Sequence, residues 1–449
     1  MHIKNLWPFK DKKQQSEFNS SHFSTSERVF TPVNELVIGM YVAELDRPWL
    51  DTPFLFQGFE LRTQVQIQSV QNICDYVYID VTKTKKIVRS TFFISGVNGS
   101  KTEAPFIKAD SRGIRYKRQD AFKQEIANAE KIYGNTEELV SSFMKVASKG
   151  GDIDGWLAKK AVSECVNSVL HSPDAMLWLT QLKDKDHYTV QHSLNVCILS
   201  IVLGRHLNLP KDKIVNLGLC GMMHDIGKML LPTEILLKPD QLDEEEMKTM
   251  QLHTILGYEL LKSSDNMSSA VIETALTHHE RLDGKGYPRQ LKNLSISQFT
   301  KIIAIADMYD AITSNRVFQK SKTHLEATHI LINQAGTQVD KLLVIKFIES
   351  LGVYPPGSVV VMTNGAIGIV VEVNEEIKLR PKVILLLDEE KNPVPEQVID
   401  LAEMVTDKNG LLYTIKNVIR GDDWNIDSRK YYQNGFLEKS FEMRGSTNT

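Results

Sequence analysis

The sequence predicts a multidomain α+β protein, in which an all-α helical bundle lies between a small β-rich N-terminal domain and a small C-terminal β appendage. Its 449 residues are enough for about three domains. Helix start and stop signals fill residues 120–352. Short aliphatic and aromatic runs, typical of strands, occur on both sides of that stretch.

The N-terminal third is predicted to contain three segments. Residues 10–28 are polar and poor in aliphatic side chains, which predicts a flexible arm over residues 1–28. Runs of aromatic and β-branched residues, such as YVYID at 76–80, predict a β-rich domain over residues 29–95. Residues 96–119 mix Gly, Ser, Pro and charged residues, and they predict a linker.

The helical domain is predicted over residues 120–352, with room for at least eight helices. Asn135 followed by Glu138 has the spacing of a capping box, and so does Asp243 followed by Glu246. Each pair predicts the start of a helix.

The C-terminal β appendage is predicted over residues 353–420. Aliphatic runs at 358–362, 367–371 and 383–387 predict its strands. A polar tail is predicted to follow over residues 421–449.

Composition excludes several classes of protein. The 53 basic and 56 acidic residues leave a net charge of −3, which provides no field for binding duplex nucleic acid. The uncharged stretch 188–204 is too short and too polar for a membrane span. Single, scattered cysteines favour a reduced, cytoplasmic location, and they are Cys74, Cys165, Cys197 and Cys220.

Histidines and aspartates recur through the helical domain at intervals that place them on different helices. They are His192, His224, Asp225, His253, His278, His279 and Asp307. Packed helices can bring such side chains to one centre, where seven ligands suffice for two ions that share a carboxylate. Each residue alone could instead be a core hydrogen-bonding group, but the adjacent pairs and an aspartate within an apolar helix favour a site.

Two segments carry a resemblance to a known family. MHDIGK at 223–228 and HHERLDGKGYP at 278–288 resemble the two signatures of the HD-GYP family, whose members are HD-type metal phosphohydrolases specialised for cyclic di-GMP. Residues 33–80 are similar to a domain of unknown function often found before HD-GYP domains. The resemblance implies an HD-type catalytic bundle that hydrolyses cyclic di-GMP to pGpG, with GMP left open as a further product.

The resemblance also implies two divalent metal ions, iron or manganese, that share Asp225. The remaining ligands would be His192, His224 and Asp307 for one ion and His253, His278 and His279 for the other. Some family members recruit a third metal through a glutamate, but that position is Tyr188 here. Two metals are therefore expected.

Asp225 and Lys228 are the implied catalytic residues. Lys228 would contact the phosphate or protonate the leaving 3′ oxygen, although a surface lysine at a helix end is the alternative. Arg316 matches the phosphate-binding arginine of the family. Gln319 stands where the family usually has Lys or Arg, and Lys320 is a candidate substitute.

The loop containing Gly286, Tyr287 and Pro288 is predicted to shape the substrate site, and a plain turn is the alternative. The resemblance implies that this loop also contacts diguanylate cyclase domains. A homodimer is an option that no residue pattern decides. Two other functions remain open. One is a cyclic di-GMP receptor with little turnover, suggested by Gln319, by Asn315 and Val317 nearby, and by the two flanking β domains. The other is an HD phosphohydrolase for another nucleotide.

Overall fold

The chain forms two compact units, Met1–Thr102 and Glu103–Thr449. This computed structural model describes residues 28–46, 58–80, 83–84, 116, 118–119, 122–182, 188–238, 240–315, 320–374, 377–424 and 426. Most of the predicted arm, linker and polar tail lie outside these residues. Within the described part of the chain, no helix is long and apolar enough to cross a membrane.

The described part of the first unit is a four-stranded antiparallel sheet with one α-helix and a short 3-10 helix, Val33–Glu35. Its elements are β1 (Arg28–Pro32), β2 (Tyr41–Leu45), β3 (Phe59–Glu60), α1 (Gln64–Ile73) and β4 (Tyr76–Asp80). The strand order is β1-β4-β2-β3. β4 pairs with a strand on each side, and all five of its residues are buried, which agrees with its aromatic and β-branched sequence.

The second unit contains twelve α-helices among its described residues, which confirms the predicted helical bundle. They are α2 (Phe122–Ala147), α3 (Gly155–His171), α4 (Pro173–Leu179), α5 (Tyr188–His206), α6 (Lys211–Met223), α7 (Thr233–Leu236), α8 (Glu244–Gln251), α9 (His253–Ser263), α10 (Ser269–Thr277), α11 (Gln298–Thr313), α12 (His324–Gln334) and α13 (Lys341–Leu351). A 3-10 helix, Ile226–Leu230, connects α6 and α7.

One of the two predicted capping boxes is wrong. The backbone nitrogens of Glu246 and Asp243 each bond the other residue's carboxylate at the start of α8, as the sequence predicted. Asn135, in contrast, lies in the middle of α2. Tyr133 and Val140 are buried on either side of it, so packing of one continuous helix face outweighs the local preference for a helix start.

Helix α5 is the centre of the bundle, and every residue from Gln191 to Gly204 is buried. It packs closely against α6 at Gly221, where a Cβ would lie 2.8 Å from the Cys197 backbone nitrogen. Glycine is therefore required for this contact. The contact brings α5, which carries His192, close to the end of α6, which His224 follows.

The C-terminal appendage is a five-stranded antiparallel sheet. Its strands are β5 (Val359–Met362), β6 (Ile367–Glu372), β7 (Lys382–Leu387), β8 (Pro393–Asp400) and β9 (Ile415–Ile419). They lie in the order β8-β7-β6-β5-β9. The three strands predicted from aliphatic runs are confirmed as β5, β6 and β7.

Charged side chains attach the appendage to the helical bundle. Arg118, which precedes α2, contacts Asp174 of α4 at 2.5 Å and Glu372 of β6 at 3.3 Å. The backbone nitrogen of Val373 donates to Asp174 at 2.8 Å, and Lys382 contacts Glu372 at 2.9 Å. Breaking such a largely buried cluster is costly, so it holds the sheet against the helices.

Candidate metal centre

The seven predicted histidines and aspartates converge inside the helical bundle. They are His192 in α5, His224 and Asp225 after α6, His253 at the start of α9, His278 and His279 after α10, and Asp307 in α11. Five are buried, whereas His279 and Asp307 are partly exposed. The structure therefore brings five separate parts of the chain to one place.

Gly227 allows two of these parts to touch. A Cβ at this position would lie 2.1 Å from the carbonyl oxygen of His253 and 2.4 Å from the backbone nitrogen of Gly257. Only glycine lets the 3-10 helix Ile226–Leu230 pack directly on the first turn of α9. This contact sets His253 beside Asp225.

The carboxylate of Asp225 is at the centre of the cluster. Its Oδ2 lies 3.5 Å from Nε2 of His192 and 3.3 Å from Nε2 of His224. Its Oδ1 lies 3.3 Å from Nε2 of His253 and 3.5 Å from Nε2 of His278. Each carboxylate oxygen therefore faces a different pair of imidazoles.

The side chains form two groups that share Asp225, and in each group the candidate ligand atoms lie within 4.8 Å of one another. The groups are Asp225, His253, His278 and His279, and His192, His224 and Asp225. Asp307 adjoins the second group, because its Oδ1 lies 3.2 Å from Nε2 of His192.

Hydrogen bonds to the other ring nitrogens set the tautomers. Nδ1 of His224 lies 2.7 Å from the carbonyl oxygen of Gly221, and Nδ1 of His253 lies 2.7 Å from that of Met250. A carbonyl oxygen only accepts, so Nδ1 donates and Nε2 of the neutral ring presents a lone pair. These lone pairs face the carboxylate of Asp225, an arrangement that a cation between them would stabilise.

His278 has the same arrangement, in which Nδ1 donates to a backbone carbonyl oxygen and Nε2 faces the cluster. Nδ1 of His278 donates to the carbonyl oxygen of Ala275 at 3.0 Å, and its Nε2 lies 3.2 Å from Nε2 of His253. Among the described residues, the buried Nε2 of His224 and Oδ1 of Asp225 have no hydrogen-bond partner. This nitrogen and oxygen donor set fits divalent metal ions.

Electrostatics differ between the two groups. Burial lowers the pKa of His253 to about 3, and it also lowers the pKa of His278 and His279. Neutral imidazole is the form that binds metal. Burial acts in the same direction on His192, but hydrogen bonds to Asp225 and neighbouring carboxylates outweigh it and raise its pKa. This side of the cluster therefore favours positive charge.

A cleft of about 1530 Å³ opens over the cluster. Four predicted substrate-binding residues line it, namely Lys228, Gly286, Tyr287 and Lys320. Pro288 is not among the described residues that line it. Arg316 and Gln319 lie outside the described residues.

Three family models match the chain. An HD domain matches residues 179–343, a domain of unknown function (DUF3391) matches 29–155, and a KOW domain associated with HD domain matches 359–406. Both sequence signatures, at 223–228 and 278–288, lie inside the HD domain match.

A cyclic di-GMP phosphodiesterase from Pseudomonas aeruginosa is 34% identical over 373 residues, which cover 82% of this chain and 88% of that protein. The chain belongs to the HD-GYP family. A cyclic di-GMP phosphodiesterase from Borreliella burgdorferi is 32% identical over 189 residues, 42% of this chain and 50% of that protein. A 3′3′-cGAMP-specific phosphodiesterase from Vibrio cholerae is 40% identical over 162 residues, 36% of this chain and 37% of that protein.

The conformation of the loop that contains Gly286, Tyr287 and Pro288 depends on two glycines. Gly284 has a φ of +75°, a conformation that other residues rarely adopt. A Cβ on Gly286 would lie 2.4 Å from the backbone nitrogen of Arg281. The loop then places the ring of Tyr287 against His279, with 4.7 Å between the ring centroids. The second signature of this HD-GYP chain thus forms part of the cleft wall.

Glu280 holds this HD-GYP loop in place, and sequence reasoning assigned it no role. Its buried carboxylate accepts hydrogen bonds from the backbone nitrogens of Arg289 at 2.6 Å and Leu291 at 2.8 Å. Its position directly after His279, at the start of the loop, was the available signal. Glu280 acts as a positioning residue.

Asp310 is a second residue that sequence reasoning missed. Its carboxylate accepts hydrogen bonds from Nδ1 of His192 at 2.8 Å, from Asn195 at 3.1 Å and from Ser314 at 3.2 Å. It orients His192, as outer carboxylates do for metal-binding histidines. The signal was its spacing, since a residue three positions after Asp307 lies on the same helix face.

Two side chains flank the cluster of histidines and aspartates at the cleft. Nζ of Lys228 lies 2.5 Å from Oδ2 of Asp225, and the lysine is in the last turn of its 3-10 helix. The ring of Tyr188 stacks on His192, with 5.7 Å between centroids and 12° between planes. Tyr188 therefore occupies space beside the group that contains His192, where the HD-GYP resemblance allows a glutamate in some members.

Proposed function

We propose that the protein is a metal-dependent phosphodiesterase that opens cyclic di-GMP to pGpG, with GMP as a product of a second hydrolysis. The strongest support is the relative that shares most of its length with this chain and is named a cyclic di-GMP phosphodiesterase. The buried cluster of histidine and aspartate below an open cleft provides a suitable place for the chemistry.

The proposed metal ligands are the seven residues of the cluster. One ion would be held by His192, His224, Asp225 and Asp307, and the other by Asp225, His253, His278 and His279. The two groups that share Asp225 support this assignment. When bound, divalent ions supply Lewis acidity toward a phosphodiester and lower the pKa of water. Iron and manganese both suit such mixed ligands.

Other residues would bind and orient the substrate. Asp225 holds the two ligand groups together, and Lys228 contacts a phosphate oxygen or gives a proton to the leaving 3′ oxygen. Its ammonium group lies close enough to Asp225 to reach the same centre. Lys320 and Arg316 are the proposed further phosphate contacts, and Tyr287 forms the wall beside His279.

The second candidate substrate is 3′3′-cGAMP. The relative from Vibrio cholerae that is specific for it is 40% identical over 162 residues. Both molecules present the same cyclic phosphodiester ring, so a similar metal centre serves either. They differ in one base, which places the choice between them in the walls of the cleft.

The test uses protein purified anaerobically and loaded with Fe(II) or Mn(II). It is incubated with cyclic di-GMP, 3′3′-cGAMP and cyclic di-AMP, and the products are separated by chromatography. We expect pGpG from cyclic di-GMP. Absence of turnover at full occupancy with either metal would refute the proposed activity, and tight binding without turnover would favour the receptor function.

We also propose the domain limits 29–95, 120–352 and 353–420, and contact with diguanylate cyclase domains through the HD-GYP loop. Cytoplasmic location is part of the proposal. Its support is that the four cysteines are all free thiols in buried positions, as expected in a reducing compartment.

A further inference from the structure

The last residue of the C-terminal appendage and the turn that follows it, at the start of the predicted polar tail, form part of the cleft wall. A 3-10 helix, Gly421–Trp424, follows β9. Arg420, Asp422 and Asp423 line the same cleft as the metal centre. The KOW match ends at residue 406, before this turn, so neither that match nor the HD domain match includes these residues.

The position of this turn is defined on two sides. Nδ2 of Asn315, two residues after the end of α11, donates to Oδ2 of Asp422 at 3.0 Å. Oδ1 of Asn315 accepts from the backbone nitrogen of Ser321 at 2.8 Å, which ties the turn to another part of the cleft wall. The contacts of Arg118 and Asp174 with the end of β6 hold the sheet itself against the helices. The turn is thus a built part of the cleft.

The polar groups of the turn have hydrogen-bonding capacity to spare. Nε and Nη2 of Arg420 donate to the two carboxylate oxygens of Asp423, both at 2.8 Å. Exposed pairs of this kind contribute little to stability, and these side chains are 33% and 44% exposed. Nη1 of Arg420 takes no part in the pair, and Oδ1 of Asp422 takes no part in the bond from Asn315.

These donors and acceptors are complementary to the hydrogen-bonding groups along the edges of guanine. Guanine presents two adjacent acceptors, O6 and N7, which arginine recognises, and an N2 amino donor beside its N1–H. A carboxylate accepts from such donors. Adenine carries an amino group in place of O6, which would meet arginine donor to donor. One positive and two negative charges also make the turn a poor site for a phosphate.

We propose that Arg420 and Asp422 form a subsite for a guanine base of the cyclic dinucleotide. Arg420 donates to O6 and N7, and Asp422 accepts from N1–H and the N2 amino group. This subsite rests on the proposed function, because it concerns the substrate of the same cleft. It assigns the appendage a direct part in choosing between guanine-containing and adenine-containing substrates.

The test compares metal-loaded, full-length wild type with Arg420→Ala, Arg420→Lys and Asp422→Ala. Lys408→Ala is the matched control, since it removes an exposed, paired cation of the same appendage outside the lined cleft. The substrates are cyclic di-GMP, cyclic di-AMP and bis(p-nitrophenyl) phosphate, which has no base.

We expect each subsite variant to lower kcat/KM for cyclic di-GMP by about 10-fold or more, mainly through KM, as loss of a specific base contact does. The kcat/KM of Arg420→Lys should fall as far as that of Arg420→Ala, because lysine lacks the planar fork of the guanidinium group. Hydrolysis of bis(p-nitrophenyl) phosphate and metal content should match the control. Unchanged cyclic di-GMP kinetics, or an equal loss on the base-free substrate, would overturn the subsite.

Binding separates this subsite from the proposed activity. A phosphorothioate analogue of cyclic di-GMP is titrated calorimetrically into the same metal-loaded proteins. If wild type binds the analogue but cleaves no cyclic dinucleotide, the proposed activity fails, and weaker binding by Arg420→Ala still supports the subsite. Equal binding by wild type and Arg420→Ala, or no binding by wild type, overturns it.

Discussion

Replacing Asp310 by alanine should weaken metal binding although all seven residues of the cluster remain. Asp310 is 2% exposed, and its carboxylate accepts hydrogen bonds from three of the described residues, His192, Asn195 and Ser314. The shortest, at 2.8 Å, comes from Nδ1 of His192 and turns Nε2 of that ring toward Asp225. Without it, neither the ring orientation nor the tautomer of His192 is set.

The expected magnitude follows from these contacts. Loss of an outer carboxylate typically costs about 10–100-fold in metal affinity. That range corresponds to about 1.4–2.7 kcal/mol. The alanine variant also leaves buried donors of His192 and Asn195 without their acceptor, at about 1–3 kcal/mol of folding stability each. Asp310→Asn keeps the shape and one acceptor oxygen, so its loss of affinity should be smaller.

Metal affinity is measured by competition with a chromophoric chelator, and stability by urea unfolding of the same preparations. Ser314→Ala is the control, because it removes one donor to Asp310 and leaves the bond to His192 intact. Its metal affinity should be close to that of wild type. A folded Asp310→Ala variant with wild-type metal affinity would refute the orienting role of this carboxylate.

The remaining predictions concern other parts of the centre. Asp225→Ala should abolish hydrolysis and lower metal content, whereas Lys228→Ala should keep its metal but turn over slowly; elemental analysis that shows metal loss in the lysine variant would contradict its role. Gly227→Ala should lower the free energy of unfolding by about 1–3 kcal/mol, measured by thermal unfolding. The new Cβ meets the backbone of His253, which no rotamer change can relieve. Glu280→Gln should raise KM several-fold without metal loss, since one oxygen that accepts a backbone N–H becomes an amino group; an unchanged KM would argue against its positioning role.

Local sequence patterns were sufficient for much of the fold. Runs of aromatic, β-branched and aliphatic residues located β4 and the strands β5 to β7, because these residue types are enriched in strands. The same local signals failed at Asn135, where the buried face of α2 continues through a helix-start pattern. A capping preference of about 1 kcal/mol is too small to interrupt a helix packed along its length.

The site divides in a similar way. Histidines and aspartates recur at helix-length intervals, and two of the segments that carry them resemble family signatures, so the sequence indicated all seven cluster residues. The contacts that support the cluster and the cleft wall could not be predicted from the sequence. Asp310 in α11 accepts a hydrogen bond from His192 in α5. Asp422, in the 3-10 helix after β9, accepts one from Asn315 beside the helical bundle.

The sequence by itself determined the helical and β regions, the family and the histidines and aspartates of the centre, because these follow from composition, periodicity and short motifs. Only the tertiary structure decided which ring nitrogens face Asp225, which carboxylate orients His192 and which part of the appendage enters the cleft. Those features depend on distances between residues far apart in the chain. Close packing of glycine-containing backbones, as at Gly227 and Gly221, sets those distances.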